Sequence, residues 1–151
     1  MQRMGMVIGL KADRVEVYKR LHAAVWPEIL AQISACNIKN YSIFLREPEN
    51  LLFGYWEYHG SDFAADMARM AEDPETQAWW AINTPLQRPL ETRAPGVWWA
   101  EMTGIFHFEG LPVSAALASG GSDRGWADLA TRAHHVRLYR VVDWQAQAHA
   151  G

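Results

Sequence analysis

The sequence predicts an α+β domain with its elements in the ferredoxin-like order β-α-β-β-α-β. Three observations predict it. Strand-like alternation occupies residues 4–10, 38–58 and 97–108; helical spacing of apolar residues fills 15–33 and 61–80; and the segment REPEN at 46–50 is short enough to join two strands as a hairpin. With 151 residues, half of them hydrophobic, the chain can bury one sizeable core.

In the first strand, MGMVIGL, Met4, Met6, Ile8 and Leu10 share a face. Asp13 is the expected N-cap of the helix that follows, whose apolar stripe runs through Val15, Tyr18, His22, Val25, Ile29 and Ile33. Pro27 removes a backbone donor, so this helix must bend near Trp26, or stop and restart with the proline in a first turn. Asn37 is expected to close it. The strand from Ile38 to Leu45 sets Tyr41, Ile43 and Leu45 against Asn40, Ser42 and Phe44, and Leu51 to Tyr58 return antiparallel to it. Ser61 is the expected cap of the next helix, which carries Phe63, Met67 and Met70. Asp73-Pro74-Glu75 then opens a further helical segment bearing Trp79 and Trp80.

Residues 83–96 hold Pro85, Pro89 and Pro95 with little periodicity, which reads as an extended surface connection. Val97 to Phe108 is the expected last strand, with Trp98, Met102, Phe106 and Phe108 on one side and Trp99, Thr103, Ile105 and His107 on the other. The domain is therefore expected to span 1–109. The run GLPVSAALASGGSDRG after Glu109 begins a C-terminal extension, 110–151, expected to be flexible or peripheral.

Charge narrows the partners. Fourteen basic residues stand against 17 acidic ones, scattered rather than clustered, so no nucleic-acid or membrane surface is expected. No apolar run approaches the roughly 20 residues that cross a bilayer. One cysteine, Cys36, has no partner for an internal disulfide, and the N-terminus lacks a secretory pattern, so the expected location is cytoplasmic. Helices on one face of a four-stranded sheet leave the other face, rich in aromatic residues, uncovered. The economical way to bury it is a homodimer with sheets packed face to face, a dimeric α+β barrel.

His22 is the one titratable ring inside an apolar stripe. On pattern alone such a histidine is more often a hydrogen-bonded core residue than a site. Tyr18, four residues earlier, shares its helix face, so a phenol and an imidazole meet where protons can be exchanged near neutral pH. Tyr41 on the next strand is placed to join them. Trp79 and Trp80 lie about 100° apart on their helix; simple packing and a pocket wall are both open readings. Trp98 and Trp99 point to opposite faces of a strand, which suits one core and one interface residue better than a site. No two of His22, His59 and His107 share a metal-ligand spacing, and His134 and His135 lie in the extension. Neither a metal nor a cofactor is expected.

Together, Tyr18, His22, the Trp26-Pro27-Glu28 triplet, Asn40-Tyr41, Asn50-Leu51-Leu52-Phe53 and Trp79-Trp80 resemble the L-rhamnose mutarotase family in order and separation, over roughly residues 3–109. The resemblance implies an isomerase that interconverts the α and β anomers of a free deoxysugar, L-rhamnose first, as a homodimer without a cofactor. It makes the position matching His22 the proton donor, and the positions matching Tyr18, Tyr41, Trp79 and Trp80 the sugar-binding residues. The chain departs from the family at Ala23 and Ala24 and after Glu109. Mutarotation needs one proton delivered to the ring oxygen while another leaves the anomeric hydroxyl, and a histidine with a pKa of about 6.5 suits such work. Water, Tyr18 or Glu57 is the expected base. A cofactor-independent monooxygenase of the same architecture and a non-catalytic binding module are the competing readings.

Overall fold

The computed structural model describes residues 1–110; the expected extension, with His134 and His135, lies outside them from residue 111 onward. Residues Met1–Met102 fall in one compact unit, and residues 103–110, which carry neither helix nor strand, in another.

Strand β1, Gln2–Leu10, is central. It pairs antiparallel with β3, Leu51–Tyr58, from Gln2 opposite Tyr58 to Gly9 opposite Leu51, and β3 pairs in turn with β2, Ile38–Arg46. The other edge of β1 is shared by two short strands. Gln87–Arg88, β4, lies against Gly9 and Leu10, and Ala100–Met102, β5, against Gly5 to Val7. The order β2-β3-β1-β4 is the ferredoxin-like one, with its fourth strand in two pieces.

The division of that fourth strand corrects two expectations. The connection at 83–96 contributes β4, and the alternation from Val97 to Phe108 yields a strand only at Ala100–Met102. Ladder hydrogen bonds need a neighbour, and pairing stops at Met102 opposite Gly5 although β1 itself continues to Gln2. Ile105 and Phe106, inside the expected strand, are 87% and 85% exposed.

Pro27 stops the first helix rather than bending it. Helix α1, Val15–Ala23, ends where Ala24 leaves helical geometry, and α2, Pro27–Ala35, restarts with the proline in its first turn, where a missing backbone donor costs nothing. Asp13 does not cap α1. It sits in a 3-10 turn, Ala12–Arg14, and neither that turn nor α1 receives a side-chain cap. Asn37 does close α2, at φ 60°, a left-handed conformation that asparagine tolerates well. The cap of α3, Phe63–Glu72, is Asp62 rather than Ser61: its carboxylate accepts from Ala65 N at 3.1 Å. Asp73 caps α4, Pro74–Asn83, by accepting from Thr76 N at 2.8 Å and from the Thr76 hydroxyl at 2.7 Å.

Met4, Met6, Ile8 and Leu10 of β1 and Leu52, Trp56 and Tyr58 of β3 face the helices and join Val15, Tyr18, Ile29, Met67, Met70, Trp79 and Trp80 in one buried cluster. Trp56 is 1% exposed and stacks on Phe63 with ring centroids 5.9 Å apart. Truncating so large a side chain in a core costs about 3–5 kcal/mol. On the opposite face of the sheet, Phe44, Phe53 and Val7 stand in a row across β2, β3 and β1. Phe44 is 63% exposed.

Strand β2 carries a bulge. Lys39 faces Glu57 but Ser42 faces Tyr55, so Asn40 and Tyr41 together oppose Trp56, with Asn40 at φ 51°. The extra residue turns the strand over by one face. Tyr41, Ile43 and Leu45 share a side, as their alternation requires, and the bulge brings the even-numbered Ile38 to that same side.

Candidate active site

A cleft of about 570 Å3, counted out to its open mouth, lies between α1, α2 and α4 and the helix-facing side of the sheet. Tyr18, His22, Tyr41, Trp79 and Trp80 all line it. The five residues singled out in the sequence are thus brought together, from one helix, a bulged strand and a second helix.

Tyr18 and His22 lie one turn apart on α1, with ring planes 22° from parallel and centroids 3.9 Å apart. His22 Nδ1 is 3.0 Å from the Tyr18 carbonyl oxygen. A carbonyl only accepts, so Nδ1 carries the proton and donates it, which leaves Nε2 as the nitrogen open to a ligand. Burial lowers the pKa of His22 from its ordinary 6.5, an effect the carbonyl contact partly opposes. The resting ring at neutral pH is therefore neutral, with its lone pair on Nε2.

The two phenols keep their protons. Burial is the main reason that Tyr18 titrates above its ordinary 10.0; the nearness of Tyr41 adds to it, and a hydrogen bond from Gln87 opposes it. Tyr41 is pushed up to about 12 by burial. As a whole residue Tyr41 is 38% exposed, so it is the hydroxyl end that sits in the enclosed part of the cleft. The site holds an acceptor and two hydroxyl donors with no fixed ion among them.

Both indoles of the Trp79-Trp80 pair are walls, at 7% and 8% exposure. Trp79 makes edge-to-face contacts with His22, centroids 5.5 Å apart, and with Trp26, 5.2 Å apart, so the imidazole packs against an indole as well as against Tyr18. Flat apolar walls around a few polar groups suit a ligand with both C–H faces and hydroxyls.

Thr76, Asn83, Gln87 and Trp99 also line the cleft and were not foreseen as site residues. Thr76, Trp79, Trp80 and Asn83 repeat at helical spacing and are the buried residues of α4. That mixed face of two aromatic and two polar residues was the available signal. Trp99, expected to be core or interface, is a wall of the site. Gln87 lay hidden in the proline-bearing connection. Asn83 donates to the Trp79 carbonyl at 2.9 Å, and its buried Oδ1 meets no donor among the described residues.

Glu57, one of the expected bases, is on the wrong face of the sheet. Strand β3 alternates, and Glu57 points away from the helices, where it accepts from Tyr55 at 2.8 Å, Asn40 at 2.7 Å and His59 at 3.2 Å and pairs with Arg3 at 3.8 Å. Hydrogen bonds from Tyr55, Asn40 and His59 pull its pKa from 4.5 to about 2. A carboxylate so held is a poor proton acceptor. Among the described residues no group of three histidine, cysteine or acidic side chains is placed to hold a metal ion, and no helix is long and apolar enough to cross a membrane.

Comparison with known proteins places the chain in a family. The chain is 30% identical to the L-rhamnose mutarotase of Oceanobacillus iheyensis over 109 residues, covering 72% of this chain and all of that one. It is 36% identical to the L-fucose mutarotase of Xanthomonas campestris pv. campestris over 110 residues, 70% of this chain and 87% of that one. The crystal structure of an L-rhamnose mutarotase from Formosa agariphila superposes with a TM-score of 0.58 at 21% identity, over 72% of this chain and all of that one, which shows the shared fold. The family model for L-rhamnose mutarotase matches residues 3–108, from the first strand past the last. The chain belongs to the L-rhamnose mutarotase family.

Proposed function

We propose that the protein is a sugar mutarotase, an isomerase that interconverts the α and β anomers of a free deoxysugar, with L-rhamnose the first candidate and L-fucose the second. The observation that carries this reading is the stacked Tyr18–His22 pair in a tryptophan-walled cleft, its Nδ1 committed and its Nε2 open. Tyr41, Trp79 and Trp80 hold the sugar. Its apolar C–H face and methyl group lie on the indoles, and its hydroxyls meet the phenols.

The protons balance as follows. Because Nδ1 is committed to the Tyr18 carbonyl, the roles expected for ring opening are exchanged in this proposal: neutral His22, expected as the donor, takes the anomeric hydroxyl proton at Nε2, and Tyr18, one of the expected bases, gives its hydroxyl proton to the ring oxygen. The bond from C1 to the ring oxygen breaks, and C1 becomes an aldehyde. After the aldehyde turns, the former ring oxygen attacks its other face and returns its proton to Tyr18, while the His22 imidazolium is the proton donor to the new anomeric oxygen. General acid-base catalysis of this kind contributes about 10²- to 10⁴-fold per positioned group.

Two further readings rest on the same supports. The aromatic row on the outer face of the sheet, with Phe44 mostly exposed, favours a homodimer joined through that face. The catalytic domain is taken as residues 1–109, in a cytoplasmic protein. Light scattering at micromolar concentration tests the dimer, and a monomer would refute it. Saturation-transfer NMR between the two anomeric signals tests the activity. Exchange at the buffer rate for both L-rhamnose and L-fucose would end the mutarotase reading, and oxygen uptake with a quinol would favour the monooxygenase.

A further inference from the structure

Asn83, the last residue of α4, is 5% exposed and lines the cleft with Thr76, Trp79 and Trp80 of the same helix. Its side-chain Nδ2 donates to the Trp79 carbonyl at 2.9 Å, and that bond orients the amide. A carbonyl oxygen only accepts, so the atom it meets must be the NH2, and the other end of the group, Oδ1, is an acceptor. Oδ1 is buried and meets no donor among the described residues. Turning the amide over would not relieve it, because two carbonyl oxygens would then face each other 2.9 Å apart. A buried acceptor left without a donor is a cost that native structures seldom keep without a use. Helix formation does not ask for it either. Asparagine is a weaker helix former than leucine, which has nearly the same branched outline and no polar atoms.

We propose that Asn83 is a specificity-determining residue whose Oδ1 accepts a hydrogen bond from a ring hydroxyl of the sugar. The cleft supplies no donor of its own to that atom: the Thr76 hydroxyl is given to Asp73 at 2.7 Å, and among the described residues no lysine or arginine lines the cleft. The donor that completes the amide therefore arrives with the ligand, and a neutral hydroxyl suits it. His22 Nε2 takes the anomeric hydroxyl, so the one that Asn83 meets is at C2, C3 or C4. Trp79 serves twice, with its indole as a wall and its carbonyl as the anchor of the amide. A site with a buried acceptor turns away the sugar that lacks the matching hydroxyl more strongly than an apolar wall turns away an added group.

This inference rests on the mutarotase reading above, and the test separates the two. Catalysed anomer exchange is measured by saturation-transfer NMR on the native protein and on Asn83→Leu. The sugars are whichever of L-rhamnose and L-fucose the native protein exchanges faster, and its analogues deoxygenated at C2, C3 or C4. With the parent sugar, Asn83→Leu is expected to raise KM about 10- to 100-fold and to change kcat by less than about threefold, since a bond made equally to the bound sugar and to the transition state sets binding alone. One analogue is expected to lose as much on the native protein. On that analogue Asn83→Leu is expected to cost less than about threefold further, because the hydroxyl that Oδ1 would accept from is already gone. The melting temperature of Asn83→Leu is expected to stay within about 4 °C of native, because the unpaired acceptor leaves with the amide; a purely structural asparagine would lower it and spare KM.

An Asn83→Leu protein with the native KM would overturn the proposal and leave the mutarotase standing. A loss of the same size on the parent sugar and on all three analogues would do the same. Should Asn83→Leu fail to fold by circular dichroism, Asn83→Ala, which adds no bulk, carries the same comparison. A native protein without exchange on either sugar would overturn both readings.

Discussion

The sheet has a tyrosine, a histidine and their polar neighbours on each of its two faces, and the two clusters are built to opposite ends. On the outer face, Glu57 accepts from Tyr55, Asn40 and His59 and faces Arg3, so its charged form is saturated with partners. On the helix side, Tyr18, His22 and Tyr41 are governed by burial, which favours their neutral forms, and each is left with at least one atom turned to the cleft. Similar residue types give a closed network in one place and an open one in the other. What marks a site is the unspent hydrogen-bonding capacity of its groups, more than their identity.

Removing the acceptor should break this comparison most sharply. His22→Ala is expected to lower catalysed exchange by about 10²- to 10⁴-fold while circular dichroism and oligomeric state stay as in the native protein. A native rate in that variant would mean that the open cluster is not the site. Tyr41→Phe, which removes one hydroxyl and leaves the ring, is expected to reduce kcat/KM about tenfold.

Acidity distinguishes the clusters a second way. His22 has its pKa lowered from 6.5, and if the neutral ring begins the reaction as proposed, the catalysed rate should rise with pH through that lowered value and level off above 6.5. A rate that instead falls across the same window would make the imidazolium the starting form. Glu57 behaves oppositely. Its pKa is depressed on folding, so its contribution to stability is present above 4.5 and is lost as pH falls from there toward about 2. Glu57→Gln should flatten the melting temperature across that interval and leave exchange within about twofold of native. Loss of exchange in Glu57→Gln would reconnect the outer network to the chemistry.

Much of this was legible in the sequence because two periodicities state it directly. Alternation marked the buried faces of β1 and β3, and helical spacing set His22 on the inward face of α1 one turn from Tyr18. The five expected site residues meet because each belonged to a regular element. What stayed hidden depended on tertiary partners. The last strand has three residues rather than twelve because its pairing with β1 stops at Met102, and no local pattern contains that fact. Gln87 was read as connection because a two-residue strand has no period to detect. The face of Ile38 turned on a single left-handed asparagine, and Asp62 took the cap expected of Ser61 by a shift of one residue. Such choices between neighbours are decided by packing.

The division of the fourth strand has a consequence for how this scaffold can vary. Residues 89–99 leave the sheet at β4 and rejoin it at β5, both held to the same edge of β1, while the Trp98–Gln87 bond ties the two ends together across the gap. Within the excursion, Arg93 bonds the carbonyls of Leu90 and Val97, so the loop satisfies itself. A loop anchored at both ends is a tolerant place for insertion, since doubling its length adds only about 0.6 kcal/mol of closure entropy. The stretch between β4 and β5 can therefore grow or shrink while Gln87 and Trp99, the two cleft residues on either side of it, keep their places.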